Sequence, residues 1–304
     1  MPGETMISQD FPREFRDRLP FLDAVLFTEY DEVPSARQQV LNMESTTDPK
    51  VQKSMIGDMG LLETFDDDES WPTDRYDETY YKTFTVVQYG TSVKIGQVAM
   101  EDDKWSVFGE RARLMGQVAQ ITQEIHAASI FNNGFDAVNF PIPDGQALCD
   151  GAHPLDGGAT DSNLGAADVD VGPLQAAITA FKQQRSHRGH FIGAVPVMVL
   201  IPVELEWMLI ELLQSKLRPD VAENATNALR QAQLDWGSWH YLTDPDAWFL
   251  LGPKKRTKLY WITRLPVTTS DDRDPATGAF WYKLRTRYSY GALDWRNVWG
   301  SPGA

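Results

Sequence analysis

Apolar positions along this chain change their period several times, and each change marks an element. Between residues 102 and 133, Leu114, Val118, Ile121, Ile125 and Ala128 step by four, three, four and three. That spacing predicts one apolar helix face sustained over more than three turns. Asp102 and Asp103 suit the dipole at its start, and Gly134 supplies a C-terminal stop. At 1.5 Å per residue such a helix runs roughly 45 Å, long enough to act as a spine. Before it, residues 82–99 carry Thr83, Thr85, Val86, Val87, Tyr89, Val93, Ile95 and Val98, broken by Gly90, which is strand composition. Residues 57–81 hold two glycines, one proline and many acids, and predict a projecting loop or loose hairpin.

The opening segment is less regular. Phe11, Phe15, Leu19, Leu22, Val25 and Leu26 approach a helical period, but Pro12, Pro20 and Pro34 interrupt it. A short helix over Ser35–Met43, with Ser35 as N-cap, is expected. Residues 1–56 therefore predict an arm that needs a surface to lie on. Residues 141–172 are rich in glycine and proline and predict loops. Pro173 at the first helical position, with Leu174, Ala177, Ile178 and Phe181, predicts a helix. Ala194–Ile201 predicts a buried strand, and Pro202 opens a helix with Glu204 and Glu206 early and Lys216 and Arg218 late. Residues 219–240 predict a surface loop with a short turn. Residues 248–251, 259–263 and 280–288 predict strands, and seven of the ten tryptophans lie at 236 or later, so this part must bury large rings.

Composition sharpens the picture through charge. The chain has 304 residues with 42% hydrophobic and 11% aromatic, enough for one large or two modest globular domains. No apolar run approaches the ~20 residues of a membrane span. The opening Met-Pro-Gly-Glu-Thr lacks the pattern of a signal peptide, and Cys149 has no second cysteine to pair with, so synthesis in a reducing compartment is expected. The net charge of −15 argues against indiscriminate nucleic-acid binding. Charge is also segregated. Asp58–Glu78 holds nine acids (Asp66, Asp67, Asp68, Glu69 and Asp74 among them) against Arg75 alone. Lys254–Arg287 holds nine bases, including Lys254, Lys255, Arg256, Lys283, Arg285 and Arg287, against three aspartates. Such blocks can meet within a chain or between chains, and they are the candidate contact residues.

Catalytic machinery is not evident. Four adjacent acids at 66–69 alternate in direction and lack a Ca²⁺-loop pattern, so a solvated run is preferred. His187 and His190 have zinc-compatible spacing but no second ligand pair, and a loop is preferred. Asp150, His153 and Asp156 could suggest a metal-dependent hydrolase, although His-Pro followed by glycines reads more simply as a turn. His126 and His240 read as packed histidines. Lys254–Lys258 could touch phosphates, but a protein partner is equally favoured. No phosphate-binding loop, dinucleotide fingerprint or nucleophile elbow occurs. No cofactor and no enzymatic activity are expected.

The order of several short pieces resembles the major capsid proteins of tailed bacteriophages with the Hong-Kong-ninety-seven-like fold, nearest in texture to Mu-like head subunits. The pieces are Gly57–Glu63, Tyr81–Phe84, Val98–Asp103, Ile130–Phe135, Asp144–Leu148 with His153-Pro154, Val199–Leu205, Trp248–Leu250 and Arg287–Arg296. The resemblance implies an α+β capsid fold with an N-terminal arm (1–56), an extended loop (57–85), a peripheral domain (86–170, with spine helix 102–133 and late strands about 255–288) and an axial domain (171–254 and 289–304). It implies self-assembly into hexamers and pentamers that form an icosahedral head around double-stranded DNA. Portal, scaffolding and decoration proteins are the implied partners, with no membrane. The implied location is the virion, with assembly in the host cytoplasm. A cellular nanocompartment shell is the alternative on the same fold. The short arm argues against a built-in scaffold. The absence of lysine between residues 54 and 81 argues against a crosslinking loop.

Overall fold

The structure is a computed structural model that describes residues 11–66, 70–74, 78–96, 98, 105–215, 227–275 and 277–304. Helices and strands mix, as an α+β chain requires. They gather into two compact units, each built from several separate stretches of the chain.

The first unit comprises the chain up to Ser35, Val86–Ile125 and Thr263–Tyr288. Helix α1 (Phe11–Glu32) runs uninterrupted through Pro20, where the sequence predicted a break. An internal proline costs about 3 kcal/mol. Burial of Leu22 and Leu26, both fully shielded, returns ~1.5–3 kcal/mol each and outweighs it. These leucines meet α3 (Trp105–Asn132), which realises the predicted spine within a few residues. Its expected start at Asp102 and Asp103 lies outside the described residues. Strand β4 (Val87–Ile95) pairs antiparallel with β11 (Phe280–Ala292) in the register Phe280↔Ile95 to Tyr288↔Val87. Gly90 sits within β4 rather than breaking it, where a Cβ would come within 2.7 Å of the Leu284 carbonyl. The core joins Leu22, Leu26, Ile95, Phe108, Ala112, Met115, Ala119, Phe280, Tyr282 and Leu284.

Of the predicted face of α3, Ala128 is buried and Ile121 half-buried, but the other three residues are not. Phe108, Ala112, Met115 and Ala119 point into the core, while Leu114, Val118 and Ile125 stay about half exposed. The physical reason is backbone approach. Gly116 stands where a Cβ would lie 2.2 Å from the Leu26 carbonyl oxygen, so α1 seats on the side of α3 that carries small residues. Polar ties fix the seam. Glu29 takes bonds from Arg113 and, at 2.8 Å, Gln117, and the Tyr30 hydroxyl reaches Gln123 at 3.1 Å. Ser35 does not cap the next helix; its hydroxyl donates to Glu124 at 2.7 Å.

The second unit comprises Ala36–Thr85, His126–Ile262 and Ser289–Ala304. After the short α2 (Arg37–Val40) and β1 (Asn42–Ser45), strand β2 (Lys50–Ile56) pairs with β3 (Glu78–Thr85) as an antiparallel hairpin. β10 (Leu259–Arg273) lies between β1 and β11 in sheet order. The residues that follow α3 form turns around two short pairing strands, β5 (His153–Pro154) and β6 (Thr160–Asp161). Helix α4 (Val171–Lys182) is capped by Asp170, whose carboxylate accepts the Val171 N–H at 2.6 Å, so Pro173 lies two residues later than expected. A second sheet runs in the order β12 (Val298–Ser301), β9 (Trp248–Leu251), β7 (Met198–Ile201) and β8 (Asp235–Ser238). Its core takes α4 on Leu174, Ala177 and Phe181, and α5 (Glu206–Gln214) on Leu209, Leu212 and Leu213. Lys216 and Arg218 lie outside the described residues. Trp239, Trp248, Trp261, Trp295 and Trp299 are all buried, which accounts for the late tryptophans.

Candidate assembly surfaces

The loop between β2 and β3 is anchored at its base. Asp58 accepts the His187 backbone N–H at 3.0 Å. Asp74 accepts the Gly60 N–H and takes Arg188 Nη1 on both oxygens at 2.9 Å. The His187–His190 stretch, whose spacing admitted zinc, is thus a turn that clasps the loop, with the His187 ring edge-on to Tyr80. The loop and this turn line an open pocket of about 490 Å³, with Met59, Phe65, Trp71, Arg188 and His190 among its walls. Beyond the clasp, apolar side chains face outward. Leu62 is fully exposed, and Leu61 and Trp71 are three-quarters exposed. Phe65 and Trp71 keep their ring centroids 4.6 Å apart. Asp66 is exposed here, whereas Asp67, Asp68 and Glu69 lie outside the described residues.

The basic block divides between the two units. In the first, β11 alternates strictly. Tyr282, Leu284, Thr286 and Tyr288 are buried, so Lys283, Arg285 and Arg287 share the other face of the strand. Lys283 reaches Asp272 of β10 at 2.8 Å. That hydrogen bond and charge hold the Asp272 carboxyl below the usual carboxylate range. Arg285 is exposed, and Lys94 of the neighbouring β4 lies over the Trp281 ring at 5.3 Å. In the second unit, Lys254 donates to the Gln38 carbonyl at 2.5 Å and Arg256 to the Gly193 carbonyl at 3.4 Å, while Lys255 is exposed. One run of bases in the sequence is therefore shared out between two units of the fold.

The Asp150–His153–Asp156 grouping does not assemble. Asp150 accepts the Ala152 N–H and Asp156 the Gly157 N–H, each within its own turn. His153 is fully buried and stacked on Trp295 at 4.4 Å, with Nδ1 2.7 Å from Asp144 and Nε2 3.0 Å from Asn163. Asn163 donates its amide to the Leu148 and Val298 carbonyls, so its Oδ1 faces His153 Nε2 as an acceptor, as the Asp144 carboxyl faces Nδ1. This node ties the glycine-rich segment to the C-terminal strand. Asp144, His153 and Asn163 are neighbours in sequence, but Trp295 and the Val298 carbonyl come from the far end of the chain, so no local motif could have exposed the whole node. Among the described residues, no group of three or more His, Cys, Asp or Glu side chains is placed to hold a metal ion.

The described surface therefore offers exposed apolar and charged faces, and comparison with known proteins gives them a setting. The family described as phage capsid protein matches residues 79–300, well over half of the chain. The chain belongs to the phage capsid protein family. Its fold is that of the tailed-phage capsids, the Hong-Kong-ninety-seven-like architecture. The capsid of bacteriophage JBD30 is similar at a TM-score of 0.50 and 13% identity, over 88% of this chain and 65% of that one. The chain thus spans just under two thirds of that relative's length. The virus-like particle from Pyrococcus furiosus is similar at a TM-score of 0.58 and 8% identity, over 94% and 99% of the two chains. The capsid of Cyanophage P-SCSP1u gives 0.56 and 9%, over 87% and 86%. No curated protein matches. The match to the capsid family begins at β3 and ends at β12, so it takes in both the sheet face and the buried histidine node. No helix among the described residues is long and apolar enough to cross a membrane.

Proposed function

We propose that this chain is the major capsid protein of a tailed phage, a structural subunit without catalytic activity. Copies assemble into hexamers and pentamers that close an icosahedral head around double-stranded DNA. The observation that carries this reading, beside the family itself, is the anchored loop with its outward Leu61, Leu62 and Trp71. A monomer gains nothing from presenting such residues, whereas a neighbouring copy can bury them. Residues 1–56 serve as the N-terminal arm, 57–85 as the extended loop, 86–170 with the late strands as the peripheral domain, and 171–254 with 289–304 as the axial domain. The acidic loop, through Asp66, Asp67, Asp68 and Glu69, docks on an adjacent subunit. Its target is the β11 face of Lys283, Arg285 and Arg287. A portal protein, scaffolding and decoration proteins complete the virion, which assembles in the host cytoplasm.

Negative-stain microscopy of the expressed protein tests the shell, with uniform closed particles as the expected result. Lys283→Glu with Arg285→Glu should lower particle yield severely. Wild-type yield in that variant would overturn the loop-to-sheet contact. The likeness to the Pyrococcus furiosus particle, over almost the whole of that chain, favours a second reading as a nanocompartment shell. Purified particles that hold a protein cargo and no DNA would establish it instead.

A further inference from the structure

The second unit carries two exposed faces of opposite charge, each with an apolar centre. The first lies on α5 and the turn before it. Leu209, Leu212 and Leu213 face the core, while Val203, Glu204, Trp207, Met208 and Glu211 face out. Positions 204, 207, 208 and 211 follow the spacing of one helix face. Trp207 is 77% exposed, an extreme value for an indole. No lysine or arginine occurs between residues 203 and 211, so the rim of this face is acidic.

The second face lies on the extended segment 191–197, ahead of β7. Ala194 and Pro196 are buried, while Phe191, Val195 and Val197 point outward in strict alternation. Bases outnumber acids along this row, with Asp235 beside Val197 at one end and Asp161 behind Arg185 at the other. Arg185 stands over the Phe191 ring at 5.1 Å, Arg256 reaches the Gly193 carbonyl, and Lys254 shares a cavity wall with Val197. Lys255 is exposed beside them. Residues 191–197 contain no acid.

We infer that these faces bind each other between copies: Trp207 and Met208 of one subunit seat on Phe191, Val195 and Val197 of the next, with Glu204 and Glu211 set against Arg185, Lys255 and Arg256. The occupant is a second copy of this chain because that chain itself supplies the complementary charge and apolar row. An aromatic anchor at the centre with charges at the rim is the usual anatomy of a specific contact. The two faces differ, so the contact is head-to-tail, the kind that repeats into a ring when the rotation between copies closes. This gives Lys254–Arg256 a role separate from that of the β11 bases. The inference rests on the shell reading above and names the residues that would hold a ring of copies together.

The test uses full-length protein, followed by analytical ultracentrifugation and microscopy. Trp207→Asp and Phe191→Asp should each cut particle yield at least tenfold while leaving the melting temperature of the subunit near wild type. Mixed together, they keep one intact pair of faces and should form dimers but no rings. Glu204→Lys with Glu211→Lys should also block assembly, and adding Lys255→Glu with Arg256→Glu should restore it. Wild-type yield in Trp207→Asp, or failure of the fourfold reversal to restore assembly, would overturn this contact. If the wild-type protein itself forms no closed particles, the shell reading fails instead.

Discussion

Gly116 offers a measurement of how the first unit is put together. On an exposed helix, replacing glycine by alanine stabilises by about 1 kcal/mol. Here the added Cβ would stand 2.2 Å from the Leu26 carbonyl oxygen and 3.3 Å from the Tyr30 nitrogen. A carbon and a carbonyl oxygen normally approach no closer than about 3.3 Å. Helix α1 must therefore retreat by about 1 Å, and it cannot retreat without loosening Leu22, Leu26 and the Glu29 ties. Overpacking of this kind costs ~1–3 kcal/mol, and the contacts are backbone, which does not swing aside. The net expectation for Gly116→Ala is a loss of about 1–2 kcal/mol, a fall of several degrees in melting temperature for a unit of this size. Gly109 lies two turns earlier on the same helix, and its added Cβ would meet only the Phe21 ring at 3.6 Å. Gly109→Ala should gain about 0.5–1 kcal/mol. Circular-dichroism melts of the disassembled subunit compare the two. Equal stabilisation by both alanines would refute the close crossing of α1 on α3.

Two further expectations concern the second unit. His153→Ala removes a ring stacked on Trp295 and leaves Asp144 buried without its partner, so a loss of roughly 3–5 kcal/mol is expected from cavity and orphaned polar group together. Asp144→Asn, which keeps a polar partner for the ring, should cost less in the same thermal melt. Cys149 is buried against Gly300, and burial pushes its thiol well above the usual range, so it stays protonated at pH 8. Native protein should resist alkylation there, and urea-unfolded protein should label fully, as mass spectrometry would read.

The sequence made some of this legible and concealed the rest for identifiable reasons. The spine helix was plain because its period is long and unbroken. Its buried side was not, because Leu114, Val118 and Ile125 look more like core than Ala112, Gly116 and Ala119. Shape overrides hydrophobicity where two backbones must approach closely. Pro20 was read as a break because local propensity cannot see the leucines that hold α1 down. The acid and base blocks were visible as charge. The basic run, however, crosses from one unit into the other, and only the fold shows that Lys254–Arg256 and Lys283–Arg287 belong to different units. The clasp on Asp58 and Asp74 was hidden because its partners, His187 and Arg188, lie more than a hundred residues away.

That clasp bears on the kinetics of association. A free span from Asp58 to Asp74 would have to surrender its conformational entropy when it met a neighbour, at roughly 1–2 kcal/mol for each residue ordered. With Asp58 and Asp74 already held by the turn at His187–Arg188, the ordering of these two anchor points occurs when the subunit folds. In the proposed shell, encounter between copies then depends less on a rare loop conformation and more on collision geometry. Arg188 and Asp74 are each about a quarter to a third exposed, so their ion pair contributes little to stability and weakens in salt. Ionic strength would then change how fast subunits join more than how firmly each one is folded.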